Sequence, residues 1–234
     1  MPEDGNRLPE LWCFRLGRLP YGDAHDLQKR LERLRQEDGV PDHLLLLEHE
    51  PVYTRGRRSG PEELPMGEDW YRAQGIDVVS TDRGGRVTYH GPGQLVGYPI
   101  MSLQPYRDDI HEYIRRMESA IIAALADAGI EAGPIDGLTG VWTREPRKIA
   151  SIGVHVSRGV TTHGFAINVN NDLQPFEWIV PCGMENCRMT SVSRELGAAF
   201  DMSRFMDIVE REFGVAYARL PRRWDSLAVF GEAA

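Results

Sequence analysis

Apolar residues recur every three or four positions in three segments of the chain, which is the spacing of an amphipathic α-helix. In the first segment, Leu27, Leu31 and Leu34 share one face. The other two predicted helices run from about Asp108 to Ala128, where Gly129 follows, and from roughly Met202 to Phe213. The pattern therefore places one helix near each end of the chain and a long one in the middle.

Short apolar runs between these helices predict extended strands. The predicted strands cover residues 11–19, 43–48, 52–54, 76–80, 87–89, 95–101, 139–142, 148–157 and 164–170. A tight turn is expected at Asp82-Arg83-Gly84-Gly85, between the fourth and the fifth strand. Because the strands come in clusters and do not alternate regularly with helices, we predict an α+β fold. Its sheet should be mixed and mainly antiparallel, with flanking helices.

Composition fits an ordinary globular protein, with 41% hydrophobic and 26% charged residues among 234. We expect residues 1–10 to be a disordered lead-in and residues 11–234 to form a single domain, since no repeat or linker interrupts the pattern. The net charge of −8 argues against a general nucleic-acid binder. No apolar run reaches the roughly 20 residues of a membrane span. Three cysteines and a polar N-terminus favour the reducing cytoplasm.

Lysine is rare in this chain, because only Lys29 and Lys148 accompany the arginines among its 27 basic residues. Arginine stays protonated, whereas lysine can release its proton in a suitable environment. Lys29 falls in a helical pattern beside Arg30 and Arg33, where a solvated face explains it. Lys148 falls within a candidate functional segment and is the lysine of interest, although composition alone is equally compatible with both lysines being generic surface residues.

The first candidate segment is the glycine-rich string RGGRVTYHGPGQ, which begins at Arg83 and ends at Gln94. Glycines allow a backbone to approach a ligand closely, and Tyr89 and His90 can add a wall and a polar contact. The string has neither the Gly-Lys-Ser/Thr of a P-loop nor the G-x-G-x-x-G of dinucleotide folds. A plain hairpin and a ligand-binding loop are both compatible with it.

The second segment combines residues 147–154 and 162–170, read as two strands. Lys148 opens the first strand, and the small residues Ser151, Gly153 and Gly164 leave room for a slender ligand. The alternative is a pair of core strands with a surface lysine at one end.

The third segment surrounds Cys182, which lies between Pro181 and Gly183 and is thus expected in a turn, with its sulfur presented to a cleft. A lone cysteine is more often a core residue, as Cys13 is expected to be, and Cys187 is ambiguous. Four residues separate Cys182 from Cys187 with no second Cys/His pair nearby, and the seven histidines are scattered. We therefore predict no metal site.

Four strings, RGGRVTYHGPGQ, KIASIGVHV, HGFAINVN and PCGMENCRMTS, together resemble the lipoate-protein ligase B family in their order and spacing. The resemblance extends from the first strand to about Thr190 and implies the fold of biotin and lipoate protein ligases. It implies Cys182 as nucleophile and Lys148 as its partner. It also implies an acyl pocket lined by Arg83, Gly84, Gly85, Arg86, Val87, Thr88, Tyr89, His90, Ser151, Ile152, Gly153, Gly164, Phe165 and Ala166.

The activity that the resemblance implies is transfer of an octanoyl or lipoyl group from acyl carrier protein to a lysine of a lipoyl domain. The acceptors would be the lipoyl domains of 2-oxoacid dehydrogenases and the glycine cleavage H protein. Cys182 would carry the acyl group as a thioester, and Lys148 would lower the pKa of that thiol and act as general acid and base. We expect a monomer in the cytoplasm, with no cofactor and no nucleic-acid or membrane partner. Cys187, so close to the nucleophile, departs from the family pattern.

Three alternatives stay open at this point. An ATP-dependent lipoate or biotin ligase on the same fold would need no nucleophilic cysteine. A thioesterase would pair the cysteine with a histidine, for which His163 is the candidate, and a non-catalytic acyl-binding protein would need neither. Because both implied protein partners are acidic and the chain is acidic too, we also predict a local basic rim. Its candidate residues are Arg55, Arg57, Arg58, Arg144 and Arg147.

Overall fold

A computed structural model describes residues 8–107, 109–180 and 187–228. The strands are β1 (Glu10–Leu19), β2 (Asp42–His49), β3 (Val52–Arg55), β4 (Asp77–Ser80), β5 (Thr88–His90), β6 (Gln94–Ile100), β7 (Ala132–Ile135), β8 (Leu138–Thr143), β9 (Lys148–Ser157), β10 (Val160–Asn168) and β11 (Leu220–Trp224). The helices are α1 (Tyr21–Gln36), α2 (Glu68–Ala73), α3 (Ile110–Asp127), α4 (Gln174–Glu177), α5 (Val192–Leu196) and α6 (Met202–Tyr217). Within these residues no helix is both long and apolar enough to cross a membrane.

Eight strands form the main sheet, in the order β11-β1-β2-β6-β10-β9-β8-β7. The pairs β11–β1 and β1–β2 are parallel, and the remaining neighbours are antiparallel. The β9–β10 hairpin turns through Arg158 and Gly159, both with positive φ (46° and 75°), as a two-residue hairpin turn requires. The predicted mixed, mainly antiparallel sheet with flanking helices is confirmed.

Helices cover both faces of this sheet. This explains why the sequence of β2 is largely apolar. Leu44 and Leu46 pack into the cluster formed with α3 and α6, whereas Leu45 and Leu47 pack into the cluster on the α1 side. Successive side chains of a strand point to opposite faces, so a strand buried on both faces has no polar alternation. The central strands are therefore rigidly held, which suits them to carry a site.

A second, three-stranded sheet has the order β4-β3-β5 and packs beside the first. The prediction of a tight turn between β4 and β5 is wrong, because these two strands do not pair with each other. Both pair with β3, β4 in parallel and β5 in antiparallel orientation. The connecting segment folds back on β3 because Arg83 donates from Nη2 to the Thr54 carbonyl at 2.6 Å. The Arg83 carbonyl in turn accepts a hydrogen bond from the Arg57 N–H at 3.0 Å. The segment therefore forms a wall facing β9 and β10.

Candidate active site

A cavity of about 330 Å³ lies between that wall and the strands β9 and β10 of the main sheet. Its size is at the lower end for small-molecule sites, as a slender ligand would need. From the glycine-rich segment it is lined by Arg83, Gly85, Arg86, Val87, Thr88 and His90. From β9 and β10 it is lined by Lys148, Ser151, Ile152, Gly153, Gly164, Phe165 and Ala166. The structure thus brings the first two predicted segments together around one cavity.

Two residues predicted to line the pocket, Gly84 and Tyr89, do not line this cavity. Gly84 is instead tied to β9, with its N–H donating to the Val154 carbonyl at 2.9 Å. Tyr89 lies between Thr88 and His90 in a strand, so its side chain points to the opposite face. There it packs against Tyr53 and Phe176, with ring centroids 5.5 Å away in each case.

The two glycines Gly153 and Gly164 are cross-strand partners in the β9–β10 ladder. A Cβ on Gly153 would lie 2.9 Å from the Gly84 carbonyl oxygen, and one on Gly164 would collide with the Gly97 carbonyl. Both positions are therefore occupied by glycine because neighbouring backbones approach closely. The floor of the cavity is consequently formed by main chain, with few side chains to fill it.

Arg83 and His90 are polar residues of the cavity lining, and both are buried. The Arg83 guanidinium donates to the Thr54 hydroxyl from Nη2 at 2.8 Å. His90 Nδ1 donates to Gln94 Oε1 at 2.8 Å, because the Gln94 amide nitrogen is already donating to Asn168 Oδ1. Burial holds the pKa of His90 well below its usual 6.5, so this imidazole is neutral.

Lys148 begins β9 at the edge of the cavity and is buried, with 3% of its surface exposed. Its Nζ lies 5.0 Å from the centroid of the Trp142 ring, within cation–π range. Gly140 makes room for it, since a Cβ there would lie 2.8 Å from Lys148 Cε. The lysine is therefore a buried cavity group, and the alternative of a surface lysine is excluded.

The backbone of Lys148 is held on both sides by the segment that follows residue 186. Its N–H donates to the Arg188 carbonyl at 2.7 Å, and its carbonyl accepts from the Thr190 N–H at 2.9 Å. Asn168 Nδ2 donates to the Thr190 carbonyl at 3.0 Å, which links this segment to the Gln94–His90 network. The chain just after residue 186 is thereby tied to Lys148.

Cys182 lies outside the described residues. On its amino-terminal side, the Val180 N–H donates to the Glu63 carbonyl at 3.1 Å. The Glu63 carboxylate accepts from the N–H of Val87, a residue of the cavity wall, at 2.9 Å. The described flank that ends at Val180 is therefore linked through Glu63 to the cavity wall, and the flank that resumes at Cys187 is tied to Lys148.

The other two cysteines differ in environment. Cys13 is fully buried in the main core, as predicted, and burial raises the pKa of its thiol to about 12. Such a thiol stays protonated and is a poor nucleophile. Cys187 is half-buried, with its sulfur 4.0 Å from that of Met189.

Several cavity residues were not singled out by the sequence, among them Tyr21, Tyr98, Trp142 and the segment 137–139. Tyr21 is the first residue of α1. Trp142 lies next to Lys148 across the β8–β9 ladder. No motif marks these residues, because their role depends on which strands become neighbours.

Three histidines that are scattered in the sequence converge around Asp82, beside the cavity. His163 Nε2 donates to Asp82 Oδ1 at 2.6 Å, His25 Nε2 lies 3.8 Å from Oδ1, and His155 Nε2 lies 3.6 Å from Oδ2. Lys29 Nζ also reaches Asp82 Oδ2, at 2.9 Å, so it does not simply point into solvent. The bond from His163 holds the pKa of Asp82 well below its usual range.

The arginines of the predicted basic rim fall into two groups. Arg55, Arg144 and Arg147 form ion pairs with Glu68, Glu131 and Glu195, respectively. Arg57 and Arg58 are exposed, and no carboxylate in the described part of the chain lies within ion-pair distance of either. Arg58 also lines the cavity. Among the predicted rim arginines, these two therefore keep a charge with no ion-pair partner in the described residues, and Arg58 places its charge at the cavity.

Comparisons with known proteins agree with this arrangement. Residues 20–214 match the model of the lipoyl protein ligase A/B catalytic domain family. An octanoyltransferase of Solibacter usitatus is 49% identical over 209 residues, which cover 89% of this chain and 92% of the relative. An octanoyltransferase of Koribacter versatilis is 45% identical, with 86% of this chain and 82% of the relative covered.

The fold is also that of a solved structure from Thermoplasma acidophilum, a putative lipoate protein ligase with bound lipoic acid. Its TM-score is 0.73 at 18% sequence identity, with 93% of this chain and 90% of that one covered. The fold is thus of the lipoate and biotin protein ligase type. The chain belongs to the lipoyl protein ligase A/B catalytic-domain family and, within it, to the octanoyltransferases, which are acyltransferases.

Proposed function

We propose that this octanoyltransferase moves the octanoyl group from acyl carrier protein to a lysine of a lipoyl domain through a thioester on Cys182. The observation that carries the proposal is the buried Lys148 at the cavity edge, with its backbone tied to Arg188 and Thr190, a few residues beyond Cys182. The main-chain floor at Gly153 and Gly164 leaves space for an extended acyl chain.

In the first half-reaction, the Cys182 thiolate attacks the donor carbonyl and forms a tetrahedral adduct. The C–S bond to the carrier breaks, and its thiolate takes a proton from the Lys148 ammonium. One thioester replaces another, so the step is nearly neutral in free energy and needs no nucleotide. The cation beside the sulfur also favours the thiolate form of Cys182.

In the second half-reaction, the amine of the acceptor lysine attacks the acyl-enzyme carbonyl. Lys148, now a neutral amine, takes the proton that the attacking nitrogen must lose, and the Cys182 thiolate leaves. An amide replaces a thioester, which makes this step downhill. A guanidinium would supply charge near the sulfur but could not take part in the proton transfer.

His163 is a poor candidate for the histidine of a Cys–His thioesterase. Its Nε2 is bonded to Asp82, and its Nδ1 faces the Tyr21 hydroxyl at 3.5 Å. Burial also lowers the pKa of His163. Both nitrogens therefore have partners other than a thiol.

The test is the intact mass of the protein after incubation with octanoyl-acyl carrier protein and no nucleotide. We expect one added octanoyl group, which is lost when a lipoyl domain is supplied. Cys182→Ser should abolish the adduct, and the matched Cys187→Ser variant should retain it. An adduct in Cys182→Ser would contradict the assignment, and acyl transfer that starts only with ATP would identify a ligase instead.

Donor docking would use Arg57 and Arg58, the exposed arginines of the predicted rim that have no acidic neighbour in the described residues. We expect Arg57→Gln/Arg58→Gln to raise the KM for acyl carrier protein several-fold and to flatten its salt dependence, because acidic partners are steered by such charges. Arg144→Gln is the control, since its charge is already paired with Glu131. An unchanged KM in the double variant would refute this docking site.

A further inference from the structure

The polar cluster on the α1 side of the cavity contains the donor set of a metal site. His25 Nε2, His163 Nε2 and one Asp82 carboxylate oxygen all lie within 4.8 Å of one another. Two imidazoles and a carboxylate are ligands that zinc and neighbouring transition metals prefer, usually with water in a further position. None of the three residues has a role in the proposed acyl transfer.

The two imidazoles are already oriented toward the same carboxylate. The rings of His25 and His163 stack with centroids 5.7 Å apart and planes inclined by 27°. The Tyr21 ring also stacks on His25, with centroids 6.0 Å apart. The His163 backbone N–H donates to Gln28 Oε1 at 2.7 Å, which fixes the strand at that residue. The donor atoms are therefore held by packing before any ligand binds.

His25 Nε2 is withdrawn from water and makes no hydrogen bond to any residue that the structure describes. Its distance of 3.8 Å from Asp82 Oδ1 is too long for one. Leaving a buried polar atom without a partner costs free energy, and a metal ion between this nitrogen and the carboxylate would remove the deficit.

Lys29 already supplies a positive charge at this carboxylate. It lies one helical turn after His25 on α1, and its Nζ is 2.9 Å from Asp82 Oδ2. Its side chain is 27% exposed, so the flexible lysine can move into solvent and leave the carboxylate to another cation. This observation gives a role to the one lysine that the acyl-transfer mechanism does not use.

We propose that His25, Asp82 and His163 form a binding site for one divalent transition-metal ion, for which Zn²⁺ is the natural probe. The ion displaces the Lys29 ammonium from Asp82 and binds both Nε2 atoms and a carboxylate oxygen. The proton that His163 Nε2 now donates to Asp82 is then carried on Nδ1, facing the Tyr21 hydroxyl. Because His163 lines the acyl cavity, the bound ion sits directly behind the cavity wall.

The experiment is isothermal titration of the chelator-treated full chain with Zn²⁺, repeated on three variants. We expect one Zn²⁺ per chain in the unaltered protein. His25→Ala should weaken binding at least about tenfold, since it removes a ligand. Lys29→Gln should strengthen binding, because it removes the competing cation. His111→Ala, an exposed histidine on α3, should leave the affinity unchanged.

Cysteine thiolates are an alternative zinc site, and Co²⁺ distinguishes them by its visible spectrum. The proposed nitrogen and oxygen ligands give only d–d bands, whereas a thiolate ligand adds an intense near-ultraviolet charge-transfer band. Such a band, an affinity that survives His25→Ala, or an affinity unaffected by Lys29→Gln would each overturn the proposal, as would the absence of Zn²⁺ binding.

Discussion

The Lys148 ammonium is almost completely buried, so the residues around it determine how a substitution affects its charge and its proton transfer. Trp142 lies under the ammonium, and Gly140 and the segment at Arg188 and Thr190 enclose the rest. An arginine here would keep a positive charge at the edge of the cavity. The arginine could neither donate a proton to the reacting groups nor accept one from them, because it stays protonated.

Lys148→Arg is therefore expected to separate the two functions proposed for this residue. The rate of acyl transfer should fall by about 10²- to 10⁴-fold, the usual contribution of a positioned acid or base. Thiol alkylation of Cys182 near neutral pH should stay fast, because the nearby charge is retained, and it should slow in Lys148→Met. Single-turnover transfer and alkylation rates measure the two effects. Transfer at the original rate in Lys148→Arg would show that only charge is needed.

Gly140, which lies against the Lys148 side chain, is a second residue whose identity its surroundings restrict. Its φ of +133° is a conformation that residues with a side chain rarely adopt, and a Cβ would lie 2.7 Å from the Ala150 carbonyl oxygen. The sequence contains no sign of this, because the constraint comes from β8 and β9 approaching each other closely. Motif strings identified the lysine, but not the glycine that makes space for it.

At the scale of elements, Gly140→Ala tests how the β8–β9 pair presents the lysine. We expect a loss of about 1–3 kcal/mol in the free energy of unfolding from backbone strain, and a reduced transfer rate as Lys148 is displaced. Gly133→Ala on β7 is the matched control, since no atom of the described part of the chain lies within 4 Å of its added Cβ. Urea unfolding and initial rates measure the two quantities. Equal effects of both substitutions would remove the special role of Gly140.

Elements with strong patterns were predictable from the sequence, whereas elements at the sheet edges were not. The predicted strand at 148–157 coincides with β9, and the leucines at 27, 31 and 34 lie on α1. By contrast, β7 (Ala132–Ile135) contains glycine and proline, and β11 (Leu220–Trp224) contains proline and two arginines. Such residues occur on edge strands because one side of the strand needs no partner, and they mask the strand pattern.

The candidate site likewise contains residues that were predictable from the sequence and residues that were not. The strings that resemble the octanoyltransferase family supplied the cavity wall and Lys148, because those residues are adjacent in sequence. Strand alternation put Tyr89 on the opposite face from its neighbours, which a string of letters does not reveal. The convergence of His25, His155 and His163 on Asp82 depends on α1 packing against β10, a contact between distant segments.

At the scale of the whole molecule, buried histidines make stability depend on pH. His43 lies on β2 between the rings of Trp12 and Phe14, and burial lowers its pKa from 6.5 to about 4. The unfolded chain then binds the proton more tightly than the folded one. The stability due to neutral His43 is fully present above pH 6.5 and is lost as the pH falls toward 4.

His43→Phe should remove this part of the pH dependence, since the new ring fits among aromatic neighbours and does not titrate. Relative to the unaltered protein, the loss of unfolding free energy between pH 7.5 and pH 5 should shrink by roughly 2 kcal/mol. Urea denaturation at the two pH values measures it. His111→Phe, at an exposed position, should leave the dependence as it was. An unaltered pH slope in His43→Phe would contradict the buried neutral histidine.

The pairing of β1 with β11 has a consequence for how the chain is made. The Arg222–Glu10 ion pair on these strands joins residues 212 positions apart. A ribosome adds roughly 5–20 residues per second, so β1 is completed roughly 10–40 s before the strand that covers its outer edge. During that interval the exposed edge of β1 is a template for pairing with other nascent chains. The late synthesis of β11 therefore leaves β1 with an uncovered edge for most of the time that the chain is being made.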